Sequence, residues 1–350
     1  MERTNERTSE QASEQANGYV SVNRLTKRYG GFTAVDSLSF TVGKGEIFGF
    51  LGPNGAGKTT TLSVISTLLD FDHGEVEIAG FKLPKDEFEV KALLGLVPQE
   101  IALYQNLTAA ENVALFASLY GLRGAKLKAA VEEALEFVGL ADERKKRAGK
   151  MSGGMRRRLN IACGIAHKPE LIIMDEPTVG VDAWSRDHIL GSIRTLRNRG
   201  ATIIYTSHYM PEVQSIADRI AIIDKGRLAA IGTERELLEY VTDRKAILIG
   251  VDGQAAQCAE IAVSDIRMLA GVKRVRYNAE KGEIGLDVDL ALKSISPILK
   301  TLMDRGVTIR TIEEEAPNLE TTFLALTGSE LSADGESAAP AAGGRAGRGA

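Results

Sequence analysis

Short, continuously apolar runs alternate with amphipathic segments along the first two thirds of the chain. These runs occur in GEIFGFLG, ELIIMDE, ATIIYTSH and DRIAIIDKG. Strands that are buried on both faces have this pattern, because no position along such a strand meets water. Their alternation with helical segments predicts a mostly parallel α/β core that extends to about Tyr240.

A largely helical stretch interrupts this alternation. The Thr-x-x-Glu pattern of a helix start occurs at Thr108 to Glu111, and again at Thr233 to Glu236. The first precedes AENVALFASLYGL, whose apolar residues recur at helical spacing, and residues 121–168 continue almost entirely as predicted helix without a strand candidate. The pattern therefore predicts a helical subdomain over about residues 100–168.

The order of predicted elements changes after about Lys245. A strand, a helix at 254–270, two strands, a helix at 292–305 and a further strand follow one another, and a last helix is predicted at 318–327. This βαββαβ order is that of the ferredoxin-like arrangement. We therefore expect a small α+β domain over residues 245–328, a fold that carries no function by itself.

Composition is that of an ordinary globular protein. The chain has 350 residues, 44% of them hydrophobic, and a formal net charge of −4. Residues 1–17 are polar and residues 329–350 are rich in Gly and Ala, so both are predicted to be disordered tails. The net charge argues against nucleic-acid binding by a broadly basic surface, although residues 144–158 hold eight Lys or Arg and no acidic residue.

The cysteines and the apolar segments bear on the cellular location. Cys163 and Cys258 are too few for a disulfide framework or a four-ligand zinc site, and both are predicted to be buried thiols. No apolar run approaches the ~18 residues that span a bilayer, and the first residues lack the apolar region of a secretory signal. We expect a cytoplasmic protein, to which another chain would supply any membrane-spanning helices.

The strongest chemical signal is Gly52-Pro53-Asn54-Gly55-Ala56-Gly57-Lys58-Thr59, which fits G-x-x-x-x-G-K-[ST] between a buried strand and an amphipathic helix. Glycines let consecutive backbone N–H groups converge on phosphate oxygens, and the helix N-terminus adds partial positive charge. Lys58 would reach the β- and γ-phosphates, and the Thr59 hydroxyl would bind Mg²⁺. The loop predicts nucleotide binding without saying what hydrolysis would drive.

Polar residues follow three other predicted strands. Asp175 suits the outer shell of Mg²⁺ and Glu176 could polarise the attacking water, although an acidic turn after a core strand would look the same. His208 follows the strand at 201–206 and can contact a γ-phosphate, although a lone His is more often structural. Gln99 would bring an amide to Mg²⁺ and to the attacking water.

Three further signals are ambiguous by themselves. Tyr29 could stack on adenine or belong to the core. The triplet Ser152-Gly153-Gly154 opens a predicted helix as an anion-binding terminus, unless Ser152 is only an N-cap. The run of arginines at 156–158 either adds positive potential or forms a solvated face.

Taken together and in this order, these segments resemble an ATP-binding cassette (ABC) ATPase over nearly all of residues 18–241. In the terms of that family, Tyr29 matches the A-loop, the segment from Gly52 to Thr60 matches the Walker A loop, and Gln99 matches the Q-loop. Ser152-Gly153-Gly154 matches the signature loop, Asp175 ends the Walker B strand, and Glu176 matches the catalytic glutamate. Asp182 matches the D-loop and His208 the switch histidine. The signature departs from the commonest pattern at both ends, with Met151 for Leu and Met155 for Gln.

The resemblance implies a P-loop NTPase fold and hydrolysis of ATP with Mg²⁺. It also implies a head-to-tail homodimer, in which each ATP lies between one chain's Walker A loop and the other chain's Ser152 loop. A separate transmembrane permease would hold this dimer on the cytoplasmic face of the cell membrane. The segments around Gln99 and His208 and the terminal PNLETTFLALTG resemble ATPase subunits of bacterial exporters for drugs, polyketides, lipo-oligosaccharides and similar amphiphiles.

Three other interpretations stay open at this point. Importer ATPases often carry a β-barrel-like C-terminal domain rather than βαββαβ. Non-transport ABC ATPases that act on nucleic acid insert long coiled coils or fuse two cassettes, and this chain shows neither sustained heptads nor a second cassette. A module that binds ATP without hydrolysing it is disfavoured by the joint presence of Lys58, Asp175, Glu176 and His208.

Overall fold

The computed structural model describes residues 18–239, 244–252, 263–279, 281–289, 292, 294–315 and 318–327. Both predicted tails, Cys258 and the first part of the helix predicted at 254–270 lie outside these residues. Within the described ranges, no helix combines the length and the apolar character that a membrane crossing requires.

The strands and helices follow the predicted order closely. The strands are β1 (Val20–Tyr29), β2 (Phe32–Val42), β3 (Ile47–Leu51), β4 (His73–Ile78), β5 (Phe81–Leu83), β6 (Leu94–Val97), β7 (Leu171–Asp175), β8 (Thr202–Thr206), β9 (Arg219–Asp224), β10 (Arg227–Gly232), β11 (Arg244–Val251), β12 (Val272–Asn278), β13 (Glu283–Asp289) and β14 (Ile309–Glu315). The helices are α1 (Lys58–Ile65), α2 (Glu87–Leu93), α3 (Ala109–Leu119), α4 (Gly124–Phe137), α5 (Gly153–Ile165), α6 (Ala183–Asn198), α7 (Met210–Ile216), α8 (Glu234–Glu239), α9 (Ser296–Asp304) and α10 (Leu319–Thr327).

A six-stranded sheet of order β10-β9-β3-β8-β7-β6 forms the centre of the fold. Its neighbours pair in parallel except for β9 and β10, and every residue of β3, β7 and β8 is buried. The predicted parallel α/β core is thereby confirmed. Because β3, β8 and β7 are adjacent, the segments that follow their carboxyl ends meet at one edge of the sheet.

A second sheet, antiparallel and of order β2-β1-β4-β5, packs over the first. Phe40 of β2 lies with Phe48 and Phe50 of β3 in one aromatic cluster, with ring centroids 5.3 to 6.4 Å apart. The N–H of Asp36 donates to the carbonyl of Gly226 across 2.9 Å. The start of β2 is therefore fixed beside the central sheet.

The insertion between β6 and β7 contains helices and no strand, as predicted for the helical subdomain. The prediction that residues 121–168 are almost entirely helical is wrong in part, because residues 138–152 form turns and one 3₁₀ turn, Ala148–Lys150. Gly139 adopts a φ of 65° just after α4, and the returning chain pairs with Thr108 through Arg147. A left-handed glycine of this kind ends a helix.

Both predicted capping boxes are present. At the start of α3, the Thr108 Oγ1 accepts from the N–H of Glu111 at 3.2 Å, and Glu111 accepts from the N–H of Thr108 at 2.8 Å. Thr233 and Glu236 make the same reciprocal pair at 3.3 and 2.7 Å. Each pair satisfies two backbone donors that the helix itself leaves open.

Replacing Thr108 by alanine is expected to lower the free energy of unfolding by about 1 kcal/mol, because the N–H of Glu111 loses its acceptor. Denaturant unfolding of the purified chain would measure this change. Thr108→Ser keeps the hydroxyl and should stay within a few tenths of a kcal/mol of the wild type. Equal loss in both variants would contradict the capping role.

The basic run at 156–158 is not a solvated face at two of its three positions. Arg157 and Arg158 are 4% and 7% exposed. The Nη1 of Arg157 donates to the carbonyl of Pro98 at 3.1 Å, and that of Arg158 to the carbonyl of Val138 at 2.9 Å. Burial lowers the pKa of both guanidinium groups. These arginines join α5 to neighbouring segments.

The residues after 244 form a four-stranded antiparallel sheet of order β12-β13-β11-β14. This is the strand order of the predicted ferredoxin-like arrangement. Its apolar face and α9 share a separate hydrophobic cluster, which includes Ile249, Ile284, Leu286, Ile298 and Leu302.

The last helix belongs to a different cluster from the one its sequence position suggests. Leu319 and Phe323 of α10 are 0% and 1% exposed and lie in the cluster of the central domain, together with Met210 and Val213 of α7. Helix α10 packs against α7, α8, β9 and β10. The chain thus returns to the central domain after the second sheet.

Candidate nucleotide site

The glycine-rich loop leaves β3 and enters α1 as predicted. Gly57 has a φ of 100°, and a Cβ there would lie 2.5 Å from the carbonyl oxygen of Ala34, so no other residue fits without a shift. The Lys58 Nζ donates to the carbonyls of Gly52 at 2.6 Å and Pro53 at 3.2 Å. The ammonium group is therefore enclosed by the loop that is predicted to bind the phosphates.

The charge of Lys58 lies in a buried and acidic environment. Its side chain is nearly inaccessible, and burial lowers its pKa against the opposing attraction of Glu176 and Asp175. A cation in a poorly solvated position interacts strongly with any anion that enters. The arrangement suits phosphate binding.

Two oxygen-bearing side chains that can ligate a metal ion meet at the carboxyl end of β7. The Thr59 hydroxyl donates to Asp175 Oδ2 at 3.3 Å, and burial raises the pKa of Asp175. Hydroxyl and carboxylate oxygens are the ligands that Mg²⁺ prefers, with phosphates and waters completing its shell. Thr59 and Asp175 would hold the ion, which when bound would neutralise phosphate charge. Across the described ranges, no group of three or more His, Cys, Asp or Glu side chains is placed to hold a metal ion.

Two of the predicted side chains converge on the carboxylate of a third, Glu176. The Gln99 Nε2 donates to Glu176 Oε2 at 2.9 Å, and the His208 Nδ1 lies 3.4 Å from the same oxygen. Glu176 itself has a φ of 47°, a left-handed conformation that costs a non-glycine residue ~1–2 kcal/mol. A carboxylate oriented in this way can accept a proton from water.

Thr206 is a site residue that sequence reasoning missed. It pairs with Asp175 across β7 and β8, and its hydroxyl donates to Asp175 Oδ1 at 2.7 Å. The Thr206 Oγ1 also accepts from the N–H of Glu176 at 2.9 Å. In the sequence, Thr206 is visible only as a polar residue at the end of an apolar strand. The parallel pairing of β7 and β8 shows which carboxylate it faces.

The charges of Glu176 and His208 stabilise each other. The hydrogen bond with His208 lowers the pKa of Glu176 below its ordinary 4.5, and the same bond raises the pKa of His208 above 6.5. The histidine's contribution to stability is complete below pH 6.5 and disappears as the pH rises through its folded-state pKa. The glutamate's contribution is present above pH 4.5 and disappears as the pH falls through its folded-state pKa.

The stability difference between the wild type and His208→Ala should therefore be largest near pH 5.5, and should shrink as the pH is raised from there towards 9 and the imidazole loses its proton. Thermal unfolding across this range would measure it. His73→Ala is the control, because it removes an exposed imidazole on β4 instead of the one beside Glu176. A difference that grows with pH would contradict the pair.

The predicted signature loop lies beside the predicted D-loop. Ser152 is exposed and caps α5, accepting from the N–H of Met155 at 3.3 Å. A Cβ on Gly154 would lie 2.5 Å from the Ser185 hydroxyl, in the first turn of α6. Asp182 caps that helix, accepting from the N–H of Ser185 at 2.9 Å. Among the described residues, Ser152 makes no hydrogen bond to the loop 52–60 of its own chain.

Tyr29 is not a core residue. Its ring is 50% exposed at the tip of the β1–β2 hairpin, and the Lys27 Nζ lies 5.7 Å from its centroid. Phe32, its partner across the hairpin, is 63% exposed. The core alternative for Tyr29 is therefore wrong, and its ring is available for stacking.

Similarity to known proteins agrees with this geometry. The family model described as "ABC transporter" matches residues 35–179. The linearmycin resistance ATP-binding protein LnrL of Bacillus subtilis is 42% identical over 316 residues, which cover 89% of this chain and 99% of that protein. The chain belongs to the ABC transporter family.

Other relatives of this ABC ATPase are also similar along nearly their whole length. The daunorubicin resistance ATP-binding protein DrrA3 of Streptomyces coeruleorubidus is 35% identical, covering 89% of this chain and 96% of its own. The Nod factor export ATP-binding protein I of Sinorhizobium fredii is also 35% identical, and the match covers 89% of this chain and 87% of that protein.

Solved structures give the same family. An ATP-binding subunit of an ABC transporter has a TM-score of 0.59 at 27% identity, covering 63% of this chain and 92% of its own. A dimeric cassette in a post-hydrolysis state with ADP and Pi bound has a TM-score of 0.57 at 26% identity. The match covers 61% of this chain and 98% of that one. The chain is an ATP-binding, ATP-hydrolysing cassette of this family.

Proposed function

We propose that this ABC ATPase supplies the energy for an exporter of amphiphilic compounds of the drug, polyketide or lipo-oligosaccharide type. The observation that carries this proposal is the match to LnrL, which continues through the residues after 244 to nearly the full length of both proteins. The printed names of the other relatives, for daunorubicin resistance and Nod factor export, support the same direction of transport.

The ATPase acts as a homodimer bound to a separate permease on the cytoplasmic face of the cell membrane. A dimeric post-hydrolysis cassette among the similar structures supports the dimer. The exposed Ser152 supports it too, because its hydroxyl has no partner in the chain's own nucleotide loop. Each ATP would lie between Lys58 of one chain and Ser152 of the other, so that nucleotide joins the two copies.

Within one nucleotide site, Glu176 polarises the attacking water, and Gln99 and His208 hold its carboxylate. These roles rest on the distances of 2.9 and 3.4 Å to Glu176 Oε2. Lys58 binds the β- and γ-phosphates, and the exposed ring of Tyr29 stacks on adenine. Thr59 and Gln99 would hold Mg²⁺, with Asp175 in its outer shell through water. Asp182 lies between the two copies in the D-loop.

Membrane vesicles containing this chain and the membrane protein that co-purifies with it test the proposal. Fluorescent daunorubicin is the probe, and Glu176→Gln is the inactive control. ATP-dependent accumulation in inside-out vesicles is the expected result. Accumulation only in right-side-out vesicles would make the protein an importer. If DNA stimulates ATP turnover and no membrane protein affects it, the result would favour a non-transport ABC ATPase that acts on nucleic acid.

A further inference from the structure

A buried carboxylate close to the nucleotide site has no role in the assignments above. Glu212 lies on α7 and is 3% exposed. Its Oε2 accepts from three hydroxyls, those of Tyr205 at 2.6 Å, Thr178 at 2.7 Å and Ser207 at 2.9 Å. Its Oε1 lies 3.1 Å from the Arg186 Nε. These four partners almost completely replace the water that an ionised carboxylate requires.

The partners come from separate segments, each next to a predicted functional residue. Thr178 lies two positions after Glu176, and Ser207 directly precedes His208. Arg186 stands in the first turn of α6, the helix that Asp182 caps. The Ser207 hydroxyl also accepts from the N–H of Tyr209 at 2.9 Å, which fixes the turn that carries His208. Glu212 therefore accepts hydrogen bonds from two segments around the nucleotide site and forms an ion pair with Arg186 of a third.

The chemistry of this cluster favours a rigid arrangement. Hydrogen bonds from hydroxyls to a charged acceptor are about twice as strong as neutral ones. Thr178, Tyr205 and Ser207 are each less than a tenth exposed, so their hydroxyls have no alternative partner in bulk water. A displacement of any one segment would leave a buried polar group without a partner, which is strongly unfavourable.

We propose that Glu212 is a positioning residue for ATP hydrolysis, which fixes the segments of Glu176, His208 and Asp182 relative to one another. It acts through its contacts with Thr178, Ser207 and Arg186. The inference rests on the proposed roles of Glu176 and His208.

Glu212→Gln tests the inference, because it keeps the shape of the side chain but loses the charge and turns one acceptor into a donor. We expect kcat for ATP to fall about 10- to 100-fold, the size of effect that a misplacement of about 1 Å produces. The KM for ATP should change less than about twofold, because the phosphate loop does not touch Glu212. Steady-state phosphate release by the full chain measures both.

Glu46→Gln is the matched control. Glu46 is also a largely buried carboxylate, 16% exposed, which accepts from the N–H of Gly43 at 2.8 Å and pairs with Arg219. It lies just before β3, at the edge of the central sheet opposite the nucleotide site. This variant should lower the melting temperature and leave kcat unchanged. A similar fall of kcat in both variants would mean that Glu212→Gln acts by general destabilisation, and it would overturn the positioning role.

Thr178→Val provides a second variant if Glu212→Gln does not fold. It removes one donor and keeps the volume, so it should fold, lower kcat by a smaller factor and leave the KM unchanged. A double variant with His208→Ala separates positioning from a structural role. Positioning through the His208 segment predicts a combined loss smaller than the product of the two single losses, whereas independent contributions multiply.

The outcomes also separate this inference from the proposed function. Wild-type kcat in Glu212→Gln, with Glu176→Gln inactive, would overturn the inference alone. Full turnover in Glu176→Gln would overturn the role of Glu176, whatever Glu212→Gln shows. A rise in the KM for ATP without a fall in kcat would place Glu212 in nucleotide binding and also overturn the inference.

Discussion

Replacing Glu176 by glutamine is expected to reduce ATP turnover by about 10²–10⁴-fold, the range that a general base contributes. The amide has nearly the same shape, but it cannot take a proton from the attacking water. ATP binding should persist, because Lys58 and the loop 52–60 are unchanged. The ATP-bound dimer should therefore accumulate, and size-exclusion chromatography in the presence of ATP and Mg²⁺ would detect it.

Glu170→Gln is the control for this experiment. Glu170 directly precedes β7, whereas Glu176 follows it, so the two carboxylates lie at opposite ends of the same buried strand. The half-exposed Glu170 accepts from the Tyr19 hydroxyl at 3.1 Å and from Lys44 at 3.3 Å. We expect turnover close to that of the wild type. If Glu176→Gln hydrolyses ATP at the wild-type rate, the assignment of the base is wrong.

Replacing Ser152 by arginine is expected to prevent dimerisation while leaving the nucleotide affinity of the monomer within about twofold. The exposed Ser152 would face the triphosphate bound by the other chain, where a long side chain has no space. A misfit of this kind costs several kcal/mol, and about 4 kcal/mol corresponds to a thousandfold weaker dimer. Turnover should fall in proportion to the lost dimer.

Sedimentation of Ser152→Arg in the Glu176→Gln background would measure the dimer, and a fluorescent ATP analogue would measure nucleotide affinity. Ser152→Thr is the control, because it retains the hydroxyl that caps α5 and should still dimerise. Equal loss of dimer and of nucleotide affinity would mean that Ser152 belongs to the nucleotide site of its own chain.

Much of this site could be predicted because its residues are attached to strongly patterned elements. Strands β3, β7 and β8 are buried on both faces, and this leaves a continuous apolar run in the sequence. Parallel strands place their carboxyl ends together, so polar residues that follow such runs are expected to meet. Glu176 and His208 follow β7 and β8, and Gln99 follows the shorter strand β6, but the sequence does not predict the hydrogen bonds between them.

Contacts that depend on side-chain direction could not be predicted. Glu212 falls in the first turn of a short helix, where an acidic residue is usual because it interacts with the helix dipole. Arg157 and Arg158 stand in a basic run that resembles an exposed surface, yet their guanidinium groups are buried against backbone carbonyls. A sequence pattern shows that a residue is polar, but not which distant carbonyl or hydroxyl it will meet.

The packing of α10 bears on how the protein can be divided. Leu319 and Phe323 belong to the hydrophobic cluster of the central domain, and α10 packs against α7, the helix that carries Glu212. A recombinant fragment that stops after Glu239 would contain every residue of the phosphate site, but it would expose the surface of α7, α8, β9 and β10 that α10 covers. Such a fragment should aggregate, and adding α10 back as a synthetic peptide should restore its solubility.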